Sequence, residues 1–96
     1  MATFIVLMNF TDQGIRDVKE SPRRSDAFRV MAEKLGVNVK DAYYTVGRYD
    51  LVVILEGSDE AVTAALLKAG SLGNVKTETL RGFSLEEMRK IVSQMP

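Results

Sequence analysis

Apolar and polar residues repeat with two different periods along the chain, and each change of period marks a new element. Apolar runs of strand length predict four strands, at residues 3–10, 39–46, 51–55 and 75–80. Apolar residues at helical spacing predict two helices between them, marked by Phe28, Met31, Ala32 and Leu35, and by Val62, Ala65, Leu66 and Ala69. A last helix presents Leu85, Met88, Ile91, Val92 and Met95 on one face.

Capping residues set the expected ends of these helices. Ser21 and Pro22 are typical of an N-cap and a first helical position, and Gly36 is expected to close that helix in a left-handed conformation. The other two helices carry similar signals, Ser58 and Gly70 for the second and a capping box of Ser84 and Glu87 for the last.

The order of these elements defines the expected fold. Strand, helix, strand, strand, helix, strand is the split βαβ arrangement of ferredoxin-like α+β proteins. It has a four-stranded antiparallel sheet with both main helices on one face, followed here by a C-terminal helix. Ninety-six residues are enough for one domain and not for two, so residues 1–96 are expected to form a single domain.

The first and third strands do not alternate between apolar and polar residues. Ile5, Leu7, Val52 and Ile54 fall on one face, while the opposite face is also apolar. Two helices on one face leave the other open, and a large apolar face is unusual on a soluble monomer. We therefore expect a homodimer in which two copies pack sheet against sheet. The alternative is a monomer whose C-terminal helix folds back over the sheet.

The amino-acid composition limits the catalytic groups, metals and partners that the chain could use. The chain has no cysteine and no histidine, which excludes disulfides, thiol nucleophiles, histidine bases and metals bound by either residue. No metal or cofactor is expected. Thirteen basic and thirteen acidic residues give zero net charge, so no nucleic-acid partner is expected either. The first apolar run is too short for a signal peptide or a membrane span, and the absence of cysteine fits a cytoplasmic location.

The run from Gly47 to Asp50 lies between the second and third strands and predicts a tight hairpin turn. The first and third strands are the central pair and run antiparallel, which places the end of the first strand beside this turn. The sequence therefore predicts a small polar ligand site formed by Asn9, Thr11, Arg48, Tyr49 and Asp50. Arg48 could hold an anion there, and Tyr49 or Asp50 could transfer a proton. A structural interpretation stays open, in which Asp50 caps the turn.

Three blocks of sequence resemble the GYD domain family, a group of small bacterial and archaeal proteins of largely unknown function. They are residues 7–15, the Gly-Arg-Tyr-Asp-Leu-Val segment at 47–52, and residues 70–81. The resemblance implies a ferredoxin-like fold of the dimeric α/β-barrel superfamily. Arg48 departs from a contiguous Gly-Tyr-Asp signature, which leaves its role open. Such folds include monooxygenases, isomerases, haem enzymes and regulatory domains, so the fold does not select a function.

Three functions are compatible with these observations. The first is a homodimeric small-ligand-binding or regulatory protein. The second is a cofactor-free isomerase or monooxygenase acting on a small organic acid or aromatic compound. The third is a structural or interaction module. An enclosed cavity around a buried Asp50 would favour the enzyme, whereas an exposed strand end with Asp50 bonded to backbone amides would count against it.

Overall fold

The computed structural model describes residues 1–96 and contains the predicted elements in the predicted order. The strands are β1 (Ala2–Phe10), β2 (Asn38–Tyr44), β3 (Leu51–Gly57) and β4 (Val75–Gly82). The helices are α1 (Asp12–Arg16), α2 (Ser21–Lys34), α3 (Asp59–Ser71) and α4 (Leu85–Ser93), with one 3₁₀ turn at Val18–Glu20. The predicted α+β architecture, a four-stranded antiparallel sheet with helices, is confirmed.

The sheet has the strand order β2-β3-β1-β4, so β1 and β3 are the central pair as predicted. In this register Met8 lies opposite Leu51, and Leu7 lies opposite both Val52 and Glu78. Directly paired residues share a face of the sheet, and neighbours along a strand point to opposite faces. The register therefore assigns each central side chain to one face.

One face of the sheet holds the hydrophobic core beneath α2 and α3. Val6 and Leu55 of the central strands are fully buried there, together with Ala32 of α2 and Ala65 of α3. All ten buried apolar residues of the core lie in this one cluster. The two main helices thus cover a single face, and they leave the second face without a helical layer.

This second face, called the open face below, is apolar along its centre. Ile5 and Leu7 of β1 lie opposite Ile54 and Val52 of β3, and all four are only partly buried. The outer strands carry mostly polar side chains in the same register, Asp41 and Tyr43 on β2 and Lys76 and Glu78 on β4, with Leu80 of β4 as the apolar exception. An apolar centre with a polar rim is the usual composition of a protein–protein interface.

Helix α4 does not cover the open face. It makes no extensive contact with any other element, and its apolar residues are exposed, from 42% at Ile91 to 80% at Leu85. The chain is accordingly elongated, with a longest dimension of 51 Å. The alternative of a monomer closed by its own C-terminal helix is therefore not the arrangement observed.

None of the four helices has the length and apolar content needed to cross a bilayer.

Two helix ends differ from the prediction. Ser21 is the first residue of α2 and not its N-cap, because the 3₁₀ turn at Val18–Glu20 runs directly into the helix and leaves Glu20 at the cap position. The hydroxyl of Ser21 lies 2.8 Å from the Tyr44 hydroxyl instead. Helix α3 continues through Gly70 to Ser71, and the left-handed residue after it is Gly73, with a φ of 82°.

Candidate functional site

The connection between β2 and β3 spans residues 45–50 and is wider than the predicted tight turn. Thr45 closes it: its amide donates to the Asp50 carbonyl at 2.9 Å, and its hydroxyl donates to the Tyr49 carbonyl at 2.6 Å. Gly47 has a φ of 139°, which an L side chain would resist. The hairpin is closed at Thr45, one residue after β2 ends. The Gly-Arg-Tyr-Asp run therefore forms the second part of the loop, leading into β3.

Asp50 ties this loop to β1. Its amide donates to the Met8 carbonyl at 2.9 Å, and its Oδ2 accepts a hydrogen bond from the Phe10 amide, also at 2.9 Å. The carboxylate thus supplies an acceptor where regular pairing between β3 and β1 ends. Asp50 does bond a backbone amide, but that amide belongs to β1 and not to the turn.

Asn9 makes the second link between the two segments. Its Nδ2 donates to the Arg48 carbonyl at 2.8 Å, so Asn9, Arg48 and Asp50 meet at the carboxyl end of β1, as the antiparallel pairing predicts. Arg48 uses only its backbone here. Its guanidinium lies 5.7 Å from the centroid of the Tyr49 ring and makes no ion pair or hydrogen bond within the chain.

Tyr49 reaches from the loop across to β4. Its hydroxyl donates to Glu78 Oε2 at 2.9 Å, and Glu78 projects from the open face opposite Leu7. The hydrogen bond to Glu78 raises the pKa of the Tyr49 hydroxyl, because it holds the proton; partial desolvation adds to the rise and the Arg48 charge opposes it. The phenol is therefore a poor proton donor at neutral pH.

Thr11 belongs to a different cluster. Its hydroxyl donates to the Gly73 carbonyl at 2.6 Å and accepts from the Gly14 amide at 3.1 Å, as the N-cap of α1. Its amide donates to the Asn74 carbonyl at 3.1 Å. The structure therefore places Thr11 against the loop before β4, and it does not join the Asn9–Asp50 cluster.

The three sequence blocks that carry the family resemblance converge at the carboxyl end of β1. The block at residues 7–15 contacts the block at 47–52 through Asn9 and Phe10, and the block at 70–81 through Thr11 and Gly14. A Cβ at Gly14 would lie 2.0 Å from the Asn74 carbonyl oxygen, so this approach requires glycine. These residues share one place in the fold although they are far apart in sequence.

Two residues of this region were missed from the sequence, Thr45 and Glu78. Thr45 lies inside what reads as a continuous strand, and no pattern marks its closing role. Glu78 could have been found from the register of the sheet. It lies on β4, opposite Leu7 and on the same face of the sheet.

No group of three or more acidic residues is placed to hold a metal ion.

The fold and these contacts define a ferredoxin-like α+β protein whose signature loop is fastened to the end of its first strand. Residues 4–92 match the sequence model of the GYD domain, and the chain therefore belongs to the GYD domain family.

The chain is 36% identical over 90 residues to the "Glutamine synthetase and cystathionine beta-lyase binding protein" of Thermus thermophilus, covering 92% of this chain and 95% of that protein. The crystal structure of FFRP-DM1 is similar with a TM-score of 0.59 and 26% identity, covering 86% of this chain and all of that one. The crystal structure of TTHA0845, also from Thermus thermophilus, is similar with a TM-score of 0.50 and 26% identity. The match covers 88% of this chain and 95% of that one.

Proposed function

We propose that this GYD protein is a homodimeric regulatory protein that acts by binding other proteins. The observation that carries the proposal is the open face. Its centre, formed by Ile5, Leu7, Val52 and Ile54, is apolar on the two central strands and has no helix over it. Burying such a face against a second copy removes it from water, at about 25 cal/mol for each Å² of apolar area.

The composition of the rim supports a two-fold arrangement. Charges of both signs flank the apolar centre, with Lys76 and Glu78 on β4 and Asp41 on β2. A two-fold axis brings the same surface of each copy together, so a patch with both signs can pair with itself. Glu78 and the Tyr49 hydroxyl lie on the β4 side of this face, beside Leu7, where they would border the interface.

A protein-binding role is supported by the relative and by α4. The Thermus protein is named for binding two enzymes, glutamine synthetase and cystathionine beta-lyase. Apart from the open face, α4 presents an exposed apolar face, on which Leu85, Met88 and Val92 are between 44% and 80% exposed. We propose that α4 supplies the contact with a partner enzyme, as an amphipathic helix that enters an apolar groove.

Small-ligand binding at the loop is the second candidate, because the Arg48 guanidinium makes no ion pair or hydrogen bond within the chain and could hold an anion. The other side chains of the predicted site, Asn9, Thr11, Tyr49 and Asp50, each already bond an acceptor or donor of the chain. The cofactor-free isomerase or monooxygenase would need Asp50 or Tyr49 as a proton-transfer group, and both are engaged. A binding role therefore fits this geometry better than a catalytic one.

Light scattering on the purified chain tests the dimer. Two copies of 10.7 kDa give 2 × 10.7 = 21.4 kDa, which we expect at micromolar concentration. Leu7→Glu places a charge at the centre of the open face and should shift the mass to 10.7 kDa. Leu67→Glu is the matched control, since Leu67 is 69% exposed on α3. A wild-type mass of one chain would overturn the dimer.

Binding to purified glutamine synthetase and cystathionine beta-lyase tests the partner role. Leu85→Glu should weaken binding while leaving the mass of the dimer unchanged, because α4 lies apart from the sheet. Leu67→Glu again provides the control. If neither enzyme binds at any tested concentration, the assignment of these partners to this chain is wrong, and the dimer is judged separately.

A further inference from the structure

A cleft of about 320 Å³ lies on the other side of the sheet, between α2 and α3. Its floor is the helix-facing side of the central strands and is lined by Met8, Leu51 and Val53. Phe28 and Met31 of α2 form one wall. Ala69 and Leu72, at the end of α3, form the other. Eleven of its eighteen lining residues are hydrophobic, so the body of any ligand there must be apolar.

The charged residues that line this cleft are mostly basic: Arg24, Arg29 and Lys68 against Asp26. Two of the cations are held by backbone carbonyls. Arg24 donates to Gly14 and Asp17, and Arg29 donates to Val39 at 2.9 Å. The ammonium of Lys68 makes no ion pair or side-chain hydrogen bond in the chain. It is the cation left to receive an acidic group.

We propose that this cleft binds an amphipathic carboxylate, with a hydrocarbon body against the apolar floor and the acid group at Lys68. A water molecule takes about 30 Å³ of liquid, so the cleft volume corresponds to roughly ten non-hydrogen atoms. A ten-carbon acid would place nine hydrocarbon carbons in this space and its carboxylate at Lys68. The proposal is independent of the dimer and of the partner enzymes, because the cleft lies on the helix-covered side of the sheet and not on the open face.

Amide shift perturbation by NMR tests the proposal on the intact chain, with three probes. Decanoate and 4-phenylbutanoate both contain ten carbons and one carboxylate, and they distinguish a straight-chain ligand from an aromatic one. Decan-1-ol has the same chain without the charge. We expect at least one acid to shift the amides of Met31, Leu51 and Ala69, and decan-1-ol to bind more weakly by about two- to fivefold.

Two variants and their controls decide between binding in the cleft and binding elsewhere. Lys68→Gln should weaken binding of the acid by the same factor as removing the charge of the ligand, and it should leave binding of decan-1-ol unchanged. Lys90→Gln on α4 should change the binding of neither ligand. Ala69→Trp should fill the cleft and abolish binding, whereas Leu67→Trp on the exposed side of the same helix should not. The proposal fails if no acid binds, or if decan-1-ol binds as tightly as the acids. It also fails if the Ala69→Trp variant binds the acids as tightly as the Leu67→Trp variant does.

Discussion

The hydroxyl of Tyr49 donates to Glu78 Oε2 at 2.9 Å and so joins the loop after β2 to the far edge of the sheet. The tyrosine of the family signature thus reaches past the end of β1, where Asn9 and Asp50 already fasten the same loop. These three hydrogen bonds and the bond from the Asp50 amide to the Met8 carbonyl join the loop to two other strands and fix its position. The signature is best understood as a device that fixes one end of the open face.

The titration of Tyr49 should be visible at alkaline pH. Its pKa is raised above the ordinary value of 10.0, chiefly by the hydrogen bond to Glu78. The neutral phenol therefore stabilises the fold fully below pH 10.0, and this contribution is lost as the pH rises through the folded pKa. The tyrosinate absorbance of the folded chain should include a step above pH 10.0 that Tyr49→Phe removes and Glu78→Gln moves to lower pH.

Tyr43→Phe is the control for this titration, because Tyr43 is exposed and makes no side-chain hydrogen bond. Circular dichroism at each pH must show that the chain remains folded over the range compared. If Tyr49→Phe and Tyr43→Phe remove the same step, the bond to Glu78 does not form in solution.

Asp50→Ala should destabilise the protein by about 1–3 kcal/mol, because it leaves the partly buried Phe10 amide without an acceptor. Asp50→Asn keeps a carbonyl oxygen at the same place and should cost less than about 1 kcal/mol. Urea unfolding at one fixed protein concentration measures both. Hydrogen exchange at the Phe10 amide should quicken in the alanine variant alone. Equal costs for the two variants would show that Phe10 does not depend on this side chain.

Gly14→Ala should destabilise the protein by about 1–3 kcal/mol through overpacking. The added Cβ would lie 2.0 Å from the Asn74 carbonyl oxygen, which must move away and strain its bond with the Thr11 amide. Gly70→Ala is the matched control on α3. Nothing lies within 4 Å of its Cβ position, so alanine should stabilise by up to about 1 kcal/mol through helix propensity. Thermal unfolding of the pair measures the difference.

Much of the fold could be predicted from the sequence because the apolar pattern determines which faces are buried. The failure of Ile5, Leu7, Val52 and Ile54 to alternate with polar residues indicated an open apolar face, and the structure has one. Capping signals succeeded where they were local: Ser58 accepts from the Ala61 amide at 3.1 Å, as its position predicts. Ser21 failed as an N-cap because the turn before it determines the helix start.

The candidate site was predictable in part. Antiparallel pairing was enough to bring Asn9 beside Arg48 and Asp50. It could not separate Thr11, because that separation depends on the loop before β4, whose path is set by Gly73 and by the close approach at Gly14. The cleft between α2 and α3 had no sequence signal at all. Its size depends on how far the helices stand apart, which apolar periodicity does not determine.

Helix α4 should lose stability at acid pH through one residue. Glu87 completes the capping box, accepting from the Ser84 amide at 2.8 Å, and this bond chiefly lowers the pKa of its carboxyl below the ordinary 4.5. A lowered pKa means that the stabilisation is present above pH 4.5 and is lost as the pH falls through the folded pKa. Carbon chemical shifts of residues 85–93 should report fraying of α4 at low pH while the sheet stays intact.

Glu87→Gln separates the charge from the cap. Glutamine can still accept from the Ser84 amide, so α4 should form but its fraying should no longer follow pH. Glu86→Gln is the matched control: Glu86 pairs with Arg89 at 3.1 Å on the exposed surface and should leave the acid transition of the helix in place. Since α4 is the proposed contact with a partner enzyme, binding should weaken over the same pH range in the wild type and not in Glu87→Gln. Fraying that persists unchanged in Glu87→Gln would assign the acid sensitivity to another carboxylate.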